Sequence, residues 1–236
     1  MVTARIRRAI LPLLLLLLCQ TAGAQILRDS WRHEVSFGGG MSTNRSFFVD
    51  VSYFWFPLEY VGLGAYVGIN GTSGKNDIPW GKVTSTPYYD QWILTPEHQN
   101  ITGLTFTPSV MLCTPALRIQ ALRISLRAAP GLVLTPAIER VEAEFREVNP
   151  SKPAELSNFK YEKYWLKGPQ WWAWSIRAML HFSLDELGGG IGWSLSSYDV
   201  WSTRRSGVIE GTSFSTFYPA PKPLNHNFFL YFTWKF

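Results

Sequence analysis

The chain has 236 residues, of which 46% are hydrophobic and 15% aromatic, and its formal net charge is +5. A chain of this length builds one domain of ordinary size. Three of the 22 basic residues and none of the 17 acidic ones lie within residues 1–24, so the remainder carries about +2 and gives no reason to expect nucleic-acid binding. Of the two cysteines, Cys19 lies in the same stretch, which leaves Cys113 without a partner for an intramolecular disulfide. No group of Cys and His residues has metal-ligand spacing, and we predict neither metal nor cofactor.

Residues 1–24 have the pattern of a secretory signal peptide. Three arginines near the start are followed by the apolar run Ile10–Leu18 and by Ala22-Gly23-Ala24 at the cleavage positions. The run is shorter than the roughly 20 residues that a transmembrane helix needs. Lipidation at Cys19 is the alternative, but Leu18 stands where a small residue would be wanted. The sequence therefore predicts export, with a mature domain at residues 25–236.

Eight segments of the mature chain carry apolar residues at every second position, which is the period of a β-strand. They are, in chain order, Trp31–Gly40, Ser46–Phe56, Tyr60–Asn70, Ile101–Cys113, Ile119–Leu134, Gln170–Leu184, Gly189–Val200 and Asn227–Phe236. Alternating glycines in the third segment suit the inside of a narrow barrel. Pro108 predicts a bulge and Pro130 a local irregularity, because proline cannot donate to the hydrogen-bond ladder.

The connections between these segments are sorted by length. Short turns begin near Met41, Pro57, Pro115 and Asp185, and long loops cover 71–99, 135–169 and 202–225. The turns at Pro57, Pro115 and Asp185 lie at one end of the sheet, and all three long loops lie at the other end together with the short Met41 turn. This sorting is typical of outer-membrane barrels and has no reason to occur in a soluble lipocalin-like barrel. We therefore predict an all-β, eight-stranded up-and-down antiparallel transmembrane β-barrel. Its N- and C-termini would be periplasmic, in the outer membrane of a Gram-negative bacterium.

The second long loop contains a charged segment, 139–148, whose apolar residues fit both a helix and a strand. The interpretation favours a strand that extends above the membrane. A hairpin hidden in a long loop would raise the number of barrel strands from eight to ten.

The last strand has an unusually apolar face and ends on an aromatic residue. Its outward side chains are Phe228, Leu230, Phe232, Trp234 and Phe236. Three features make the chain resemble small outer-membrane barrels of the OmpA/OmpX transmembrane type. They are this terminal strand, the strand–turn–strand at Phe47–Ile69, and Gln25 directly after the predicted cleavage site. More narrowly, the chain resembles the PorT-like barrels of Bacteroidota. The resemblance implies contact with outer-membrane lipid and lipopolysaccharide, and insertion by the outer-membrane assembly machinery through the terminal strand. It implies no single activity.

Alternation along the strands places eight titratable side chains in the lumen: Arg32, Glu34, Asp50, Arg123, Arg127, Arg177, His181 and Lys235. Side chains just fill an eight-stranded barrel, and buried charges must be paired. The set predicts a structural polar network in which Glu34 and Asp50 serve the arginines. Because basic residues outnumber acidic ones, a narrow anion-selective pore is the alternative.

The outer loops offer two further hypotheses. His98 and His226 lie at the outer rim, where a lipid-modifying barrel enzyme would need a base, but no His-x-Ser pairing accompanies them. We therefore predict a non-enzymatic protein with no catalytic residues.

The loops also contain many aromatic residues, which suit an interfacial belt, loop packing or a surface for a glycan, peptide or partner protein. They are Trp80, Tyr88, Tyr89, Trp92, Tyr161, Tyr164, Trp165, Phe214, Phe217 and Tyr218. The predicted role is structural, surface-binding or associated with secretion or assembly.

Overall fold

The computed structural model describes residues 32–72, 78–95, 102–148 and 156–236. The predicted signal peptide, Trp31 and His98 lie outside these ranges. The described residues form fifteen strands. In chain order they are β1 (His33–Ser42), β2 (Ser46–Leu58), β3 (Val61–Thr72), β4 (Trp80–Lys82), β5 (Gln91–Leu94), β6 (Thr102–Cys113), β7 (Leu117–Ile119), β8 (Leu122–Leu134), β9 (Ile138–Val148), β10 (Leu156–Lys167), β11 (Trp172–Leu184), β12 (Leu187–Ser196), β13 (Val208–Ile209), β14 (Thr212–Ser213) and β15 (Asn225–Lys235). A short helix, α1 (Ser202–Arg205), and a 3₁₀ turn (Phe214–Thr216) complete the elements, and no helix within the described ranges is long and apolar enough to cross a membrane.

Eight of these strands close into a barrel. In sequence these are β1, β2, β3, β6, β8, β11, β12 and β15, and each pairs antiparallel with the next. The ring closes where β15 pairs with β1, from Glu34 opposite Lys235 to Ser42 opposite Asn227. The predicted eight-stranded up-and-down barrel is therefore confirmed.

The outer wall of the barrel is apolar and its inner wall is mostly polar. Along β2, Val49 and Val51 are exposed while Asp50 and Ser52 are buried. On β15 the predicted outward residues are all exposed, up to 72% for Phe232. A continuous apolar wall of this kind needs hydrocarbon around it, since water would promote aggregation. Phe229, the one apolar residue out of phase in β15, is buried in the lumen.

The strand runs through Pro108 without a bulge, so that prediction is wrong. Pro108 lies opposite Ala65 and Pro130 opposite Ile176, and the register on either side of each is continuous. Both prolines belong to the β6–β8 strand pair. Only four pairs of residues are partners between these two strands: Phe106–Leu134, Ser109–Gly131, Leu112–Ala128 and Cys113–Arg127. The sparse ladder is a local irregularity of the kind predicted at Pro130, and Pro108 is accommodated in it without an extra residue.

The second long loop does contain strands. Segment 139–148 lies in β9, so the strand interpretation is confirmed, and β9 forms a hairpin with β10. This hairpin does not enter the barrel. It pairs instead with β5 and β4 in a separate sheet of order β10-β9-β5-β4, and the barrel keeps eight strands.

This sheet, α1 and the 3₁₀ turn together form a folded unit at the long-loop end, which we call the cap. The cap has its own buried core, which includes Trp92, Phe145, Trp201 and Phe214. The Trp201 indole donates a 3.0 Å hydrogen bond to the carbonyl oxygen of Asn44 in the β1–β2 turn, which ties the cap to the barrel.

Candidate functional site

An arginine surrounded by aromatic rings lies in the lumen on the cap side of the barrel's middle. Arg177 Nη2 is 2.7 Å from Asp50 Oδ2, an ion pair between two largely buried side chains. The guanidinium carbon lies 3.8 Å from the ring centre of Tyr66 and within 5.5 Å of those of Phe48 and Phe229. An arginine that is both paired and stacked in this way is held in one position.

A second ion pair lies nearer the opposite mouth. Arg127 Nη1 donates to Glu34 Oε1 at 2.7 Å, and Glu34 is only 2% exposed. His181 Nδ1 is 3.1 Å from the Tyr231 hydroxyl, and the two rings stack. The carboxylates that alternation placed in the lumen thus each contact one arginine.

The remaining predicted lumenal cations are not in the middle of the barrel. Arg123 and Lys235 are half-buried at the short-turn mouth, where Lys235 lies opposite Glu34, and Arg32 is exposed at the same end. The excess positive charge noted in the sequence is therefore concentrated at one mouth.

A layer of large side chains divides the lumen into two chambers. It contains Phe54, Met111, Met179 and Tyr231 together with Tyr66. Glycines make room for the rings: a Cβ on Gly192 would lie 2.2 Å from Phe229 Cζ. The upper chamber, below the cap, has a volume of about 60 Å³ and is lined by Asp50, Asn70, Arg177, Ser194 and Asn227 among others. The lower chamber, at the short-turn mouth, is lined by Glu34, Cys113, Arg123, Arg127, Ser183 and Lys235 among others.

The cap is fastened by a buried ion pair that sequence reasoning missed. Arg204, 1% exposed, donates from Nε and Nη2 to the two carboxylate oxygens of Glu139, at 2.7 and 2.5 Å. Its Nη1 lies 3.3 Å from the Tyr218 hydroxyl, and burial raises the pKa of that tyrosine. Arg205 pairs with Asp199 next to it. No periodicity marks these residues, because they come from α1, β9 and irregular segments.

The loop aromatics fall into two groups. Trp92, Phe214 and Tyr218 are buried in the cap core, and Tyr89, Tyr164 and Phe217 pack against it. Trp80, Tyr88, Tyr161 and Trp165 are exposed. Loop packing therefore accounts for the first group only.

Three exposed aromatic residues share the outward face of β10, where Lys163 lies between the second and the third. Phe159, Tyr161 and Trp165 are 61%, 50% and 66% exposed. On the opposite face of the same strand, Leu166 is buried, and the Tyr164 hydroxyl donates to Glu162 at 2.8 Å. Burial and this hydrogen bond raise the pKa of Tyr164. We call the three outward residues the aromatic stripe.

The structure assigns no acid–base machinery to the rim histidine that it describes. His226 is exposed, its ring lies 5.7 Å from that of Trp193, and its backbone N–H donates to Thr43 Oγ1. Within the described ranges, no three His, Cys, Asp or Glu side chains lie together as a metal-ligand set.

The closed barrel, its apolar outer wall and its filled polar lumen define a small outer-membrane β-barrel protein.

No protein-family model and no curated protein matches the sequence. Among solved structures, the chain is similar to the N-terminal β-barrel domain of Pseudomonas aeruginosa OprF, with 11% identity, 86% of this chain and 96% of that chain covered, and a TM-score of 0.40. It is also similar to Ail, the attachment invasion locus protein of Yersinia pestis, with 8% identity, coverage of 88% and 99%, and a TM-score of 0.39. The outer membrane enzyme PagL gives 8% identity, coverage of 85% and 97%, and a TM-score of 0.36. Likeness at this level concerns the barrel alone, and the narrower resemblance to PorT-like barrels stays a prediction.

Proposed function

We propose that this protein is a non-catalytic outer-membrane barrel that presents the cap at the cell surface, where β10 binds an extended segment of a partner protein. The aromatic stripe carries the proposal. Its three residues are each at least half exposed, although the strand that bears them packs a buried face onto the cap core.

The position of β10 favours strand addition. β10 is the outermost strand of the cap sheet and runs over twelve residues, so its outer backbone edge is long enough to accept a partner strand. Long exposed edges are normally protected, and lysine is a common protecting residue. Lys160, Lys163 and Lys167 lie along β10 and would repel a second copy of the same strand. Lys160 is paired with Glu162 at 2.7 Å, so Lys163 and Lys167 would attract an acidic partner segment. The stripe supplies aromatic anchors for that segment.

The lumen supports a structural role for the barrel. Its central carboxylates are paired with arginines, and the layer around Tyr66 and Tyr231 separates the two chambers. We propose that the lumenal residues predicted from the sequence form a plug and not a conduit. Planar-bilayer recordings of the purified protein would then show no discrete conductance, whereas discrete channel events would contradict the plug.

Location and assembly complete the proposal. Residues 1–24 would direct export. The assembly machinery would recognise the outward apolar side chains from Phe228 to Phe236 at the end of the chain. The short turns and both termini would then face the periplasm, while the outer wall contacts lipid and lipopolysaccharide.

Site-specific photo-crosslinking on intact cells tests the proposal. A photoreactive phenylalanine analogue at positions 159, 161 and 165 is expected to crosslink one protein. Crosslinking should be much weaker from positions 164 and 166, whose side chains face the cap core. The double variant Tyr161→Ala/Trp165→Ala is expected to weaken binding of that purified partner at least about tenfold, as for aromatic anchors. Tyr88→Ala is the matched control, since Tyr88 is 75% exposed outside the stripe. Equal crosslinking from all five positions, or equal binding by the double variant and the control, would contradict the proposal.

A further inference from the structure

The geometry points to a phosphate-binding site in the lower chamber, formed by Arg118, Arg123, Arg127 and Lys235 at the short-turn mouth of the barrel. The site lies at the opposite end of the barrel from the cap and does not depend on the proposed surface function. Its ligand is a phosphate group, carried either by free phosphate or by the headgroup of a phospholipid.

Two arginines face each other in the hairpin that forms one rim of this chamber. Arg118 on β7 lies directly opposite Arg123 on β8. Like charges in directly opposed positions destabilise a strand pair. Both side chains line the chamber, and neither has an ion pair with any residue in the described part of the chain. An anion between them would convert this repulsion into attraction.

A buried donor without a partner belongs to an arginine that lines the same chamber. Arg127 is 7% exposed, and its Nη1 is taken by Glu34, but its Nε is buried without a hydrogen-bond partner. A buried, unsatisfied donor on a charged group is destabilising, so a ligand oxygen that accepts from it would stabilise the barrel. Arginine offers its donors as a planar fork, which suits the oxygens of a phosphate.

The local charge also fits this ligand. Among the charged residues that line the chamber, four are basic and two, Glu34 and Glu59, are acidic. The lining therefore has two positive charges in excess. A phosphate monoester carries about −1.5 to −2 near pH 7, and the phosphodiester of a phospholipid headgroup carries a single negative charge, so either ligand reduces this excess. Ser125 and Ser183 add hydroxyl donors to the same wall. Bound water would satisfy Arg127 Nε, but it would not neutralise Arg118, Arg123 and Lys235.

The position of the chamber explains why a lipid headgroup is one source. Next to Arg118, Leu117 and Ile119 are exposed on the outer side of the hairpin, so the basic rim lies at the edge of the apolar wall. Lipid phosphates lie at this boundary, and free phosphate would reach the chamber through its open mouth.

Calorimetric titration of the full-length barrel, refolded in uncharged detergent and phosphate-free buffer, tests the inference. Two probes are used, inorganic phosphate and a short-chain phosphatidylglycerol. We expect one site, and Arg123→Gln and Lys235→Gln should each raise the dissociation constant at least about tenfold, since each removes a charge-assisted contact. Lys82→Gln is the control, because Lys82 is exposed on β4 in the cap and should leave binding unchanged.

The two probes separate the sources of the phosphate group. Binding of both, with mutual competition, shows that the site accepts free phosphate as well as lipid, and binding of phosphatidylglycerol alone assigns it to a headgroup. If the wild type binds neither probe, or if Arg123→Gln and Lys235→Gln bind as the wild type does, the inference is wrong.

A second measurement needs no variant and covers the case in which the substitutions prevent folding. Cys113 lines the same chamber, so the rate at which a thiol reagent modifies it reports on occupancy. Phosphate, at constant ionic strength, is expected to slow this reaction relative to chloride. An unchanged rate would overturn the inference.

Discussion

Arg177→Met removes the cation that the lumen is built around, while the methionine keeps an apolar stem of similar length. Arg177 is paired with Asp50 at 2.7 Å and lies over the Tyr66 ring at 3.8 Å. Removal of one partner of a buried ion pair destabilises a protein by about 3–5 kcal/mol, because the other charge stays buried and unpaired. The lost cation–π contact adds about 1–2 kcal/mol, so we expect a total loss of roughly 4–7 kcal/mol in the free energy of unfolding.

The companion variant Asp50→Asn/Arg177→Met tests the cause of this loss. Neutralising Asp50 removes the unpaired charge, so the double variant should recover at least about half of the lost free energy. Urea unfolding in phospholipid vesicles, followed by tryptophan fluorescence, gives the values, and the heat-modifiable gel shift checks that each variant starts folded. Arg140→Met, at an exposed arginine of β9, should stay within about 0.5 kcal/mol of the wild type. A loss below about 1 kcal/mol for Arg177→Met, or no recovery in the double variant, would refute the paired-charge account of the lumen.

Two further predictions concern the cap. Arg204→Met leaves Glu139 without its bidentate partner, so limited proteolysis should cut the cap at least about tenfold faster. The barrel should keep its heat-modifiable gel shift. Loss of that shift would mean that the cap and the barrel unfold together. Glu210 accepts hydrogen bonds from the hydroxyl and backbone N–H groups of Ser85 and Thr84, and these lower its pKa. Its stabilising contribution is then complete above the ordinary glutamate value of about 4.3 and is lost as pH falls through the lower folded value. Amide exchange at Ser85, corrected for its intrinsic rate, should rise on acidification in the wild type but not in Glu210→Gln.

The strands were predictable because a membrane barrel obeys a local rule. Each wall residue faces either lipid or lumen, so the alternation that predicts β2 also predicts that Val51 faces outward and Asp50 inward. Phe229 interrupts the apolar pattern of β15, but its place in the alternation predicts that it faces inward, and it is buried in the lumen. The bulge predicted at Pro108 is absent, because the β6–β8 ladder is sparse there and the strand needs no donor at that position.

The pairings inside the barrel could not be read from the same pattern. Glu34 and Arg127 are 93 residues apart, and alternation gives the side of the wall for each but not its height. Height depends on the stagger between strands, which is set around the whole ring. This stagger brings Glu34 to Arg127 and Asp50 to Arg177, and it leaves Arg123 and Lys235 together at one mouth.

By itself, the sequence determined the fold class, the strands and the face of most wall residues, because each is encoded by neighbours two positions apart. Only the tertiary structure decided that the long loops build a cap with a core of its own and that the aromatic stripe stays outside it. The cap elements β4, β5, β9, β10 and α1 come from separate loops and meet through long-range contacts. Such contacts leave no periodic trace in the chain, so loop aromatics that look alike in sequence, such as Trp92 and Trp165, end on opposite sides of the cap surface.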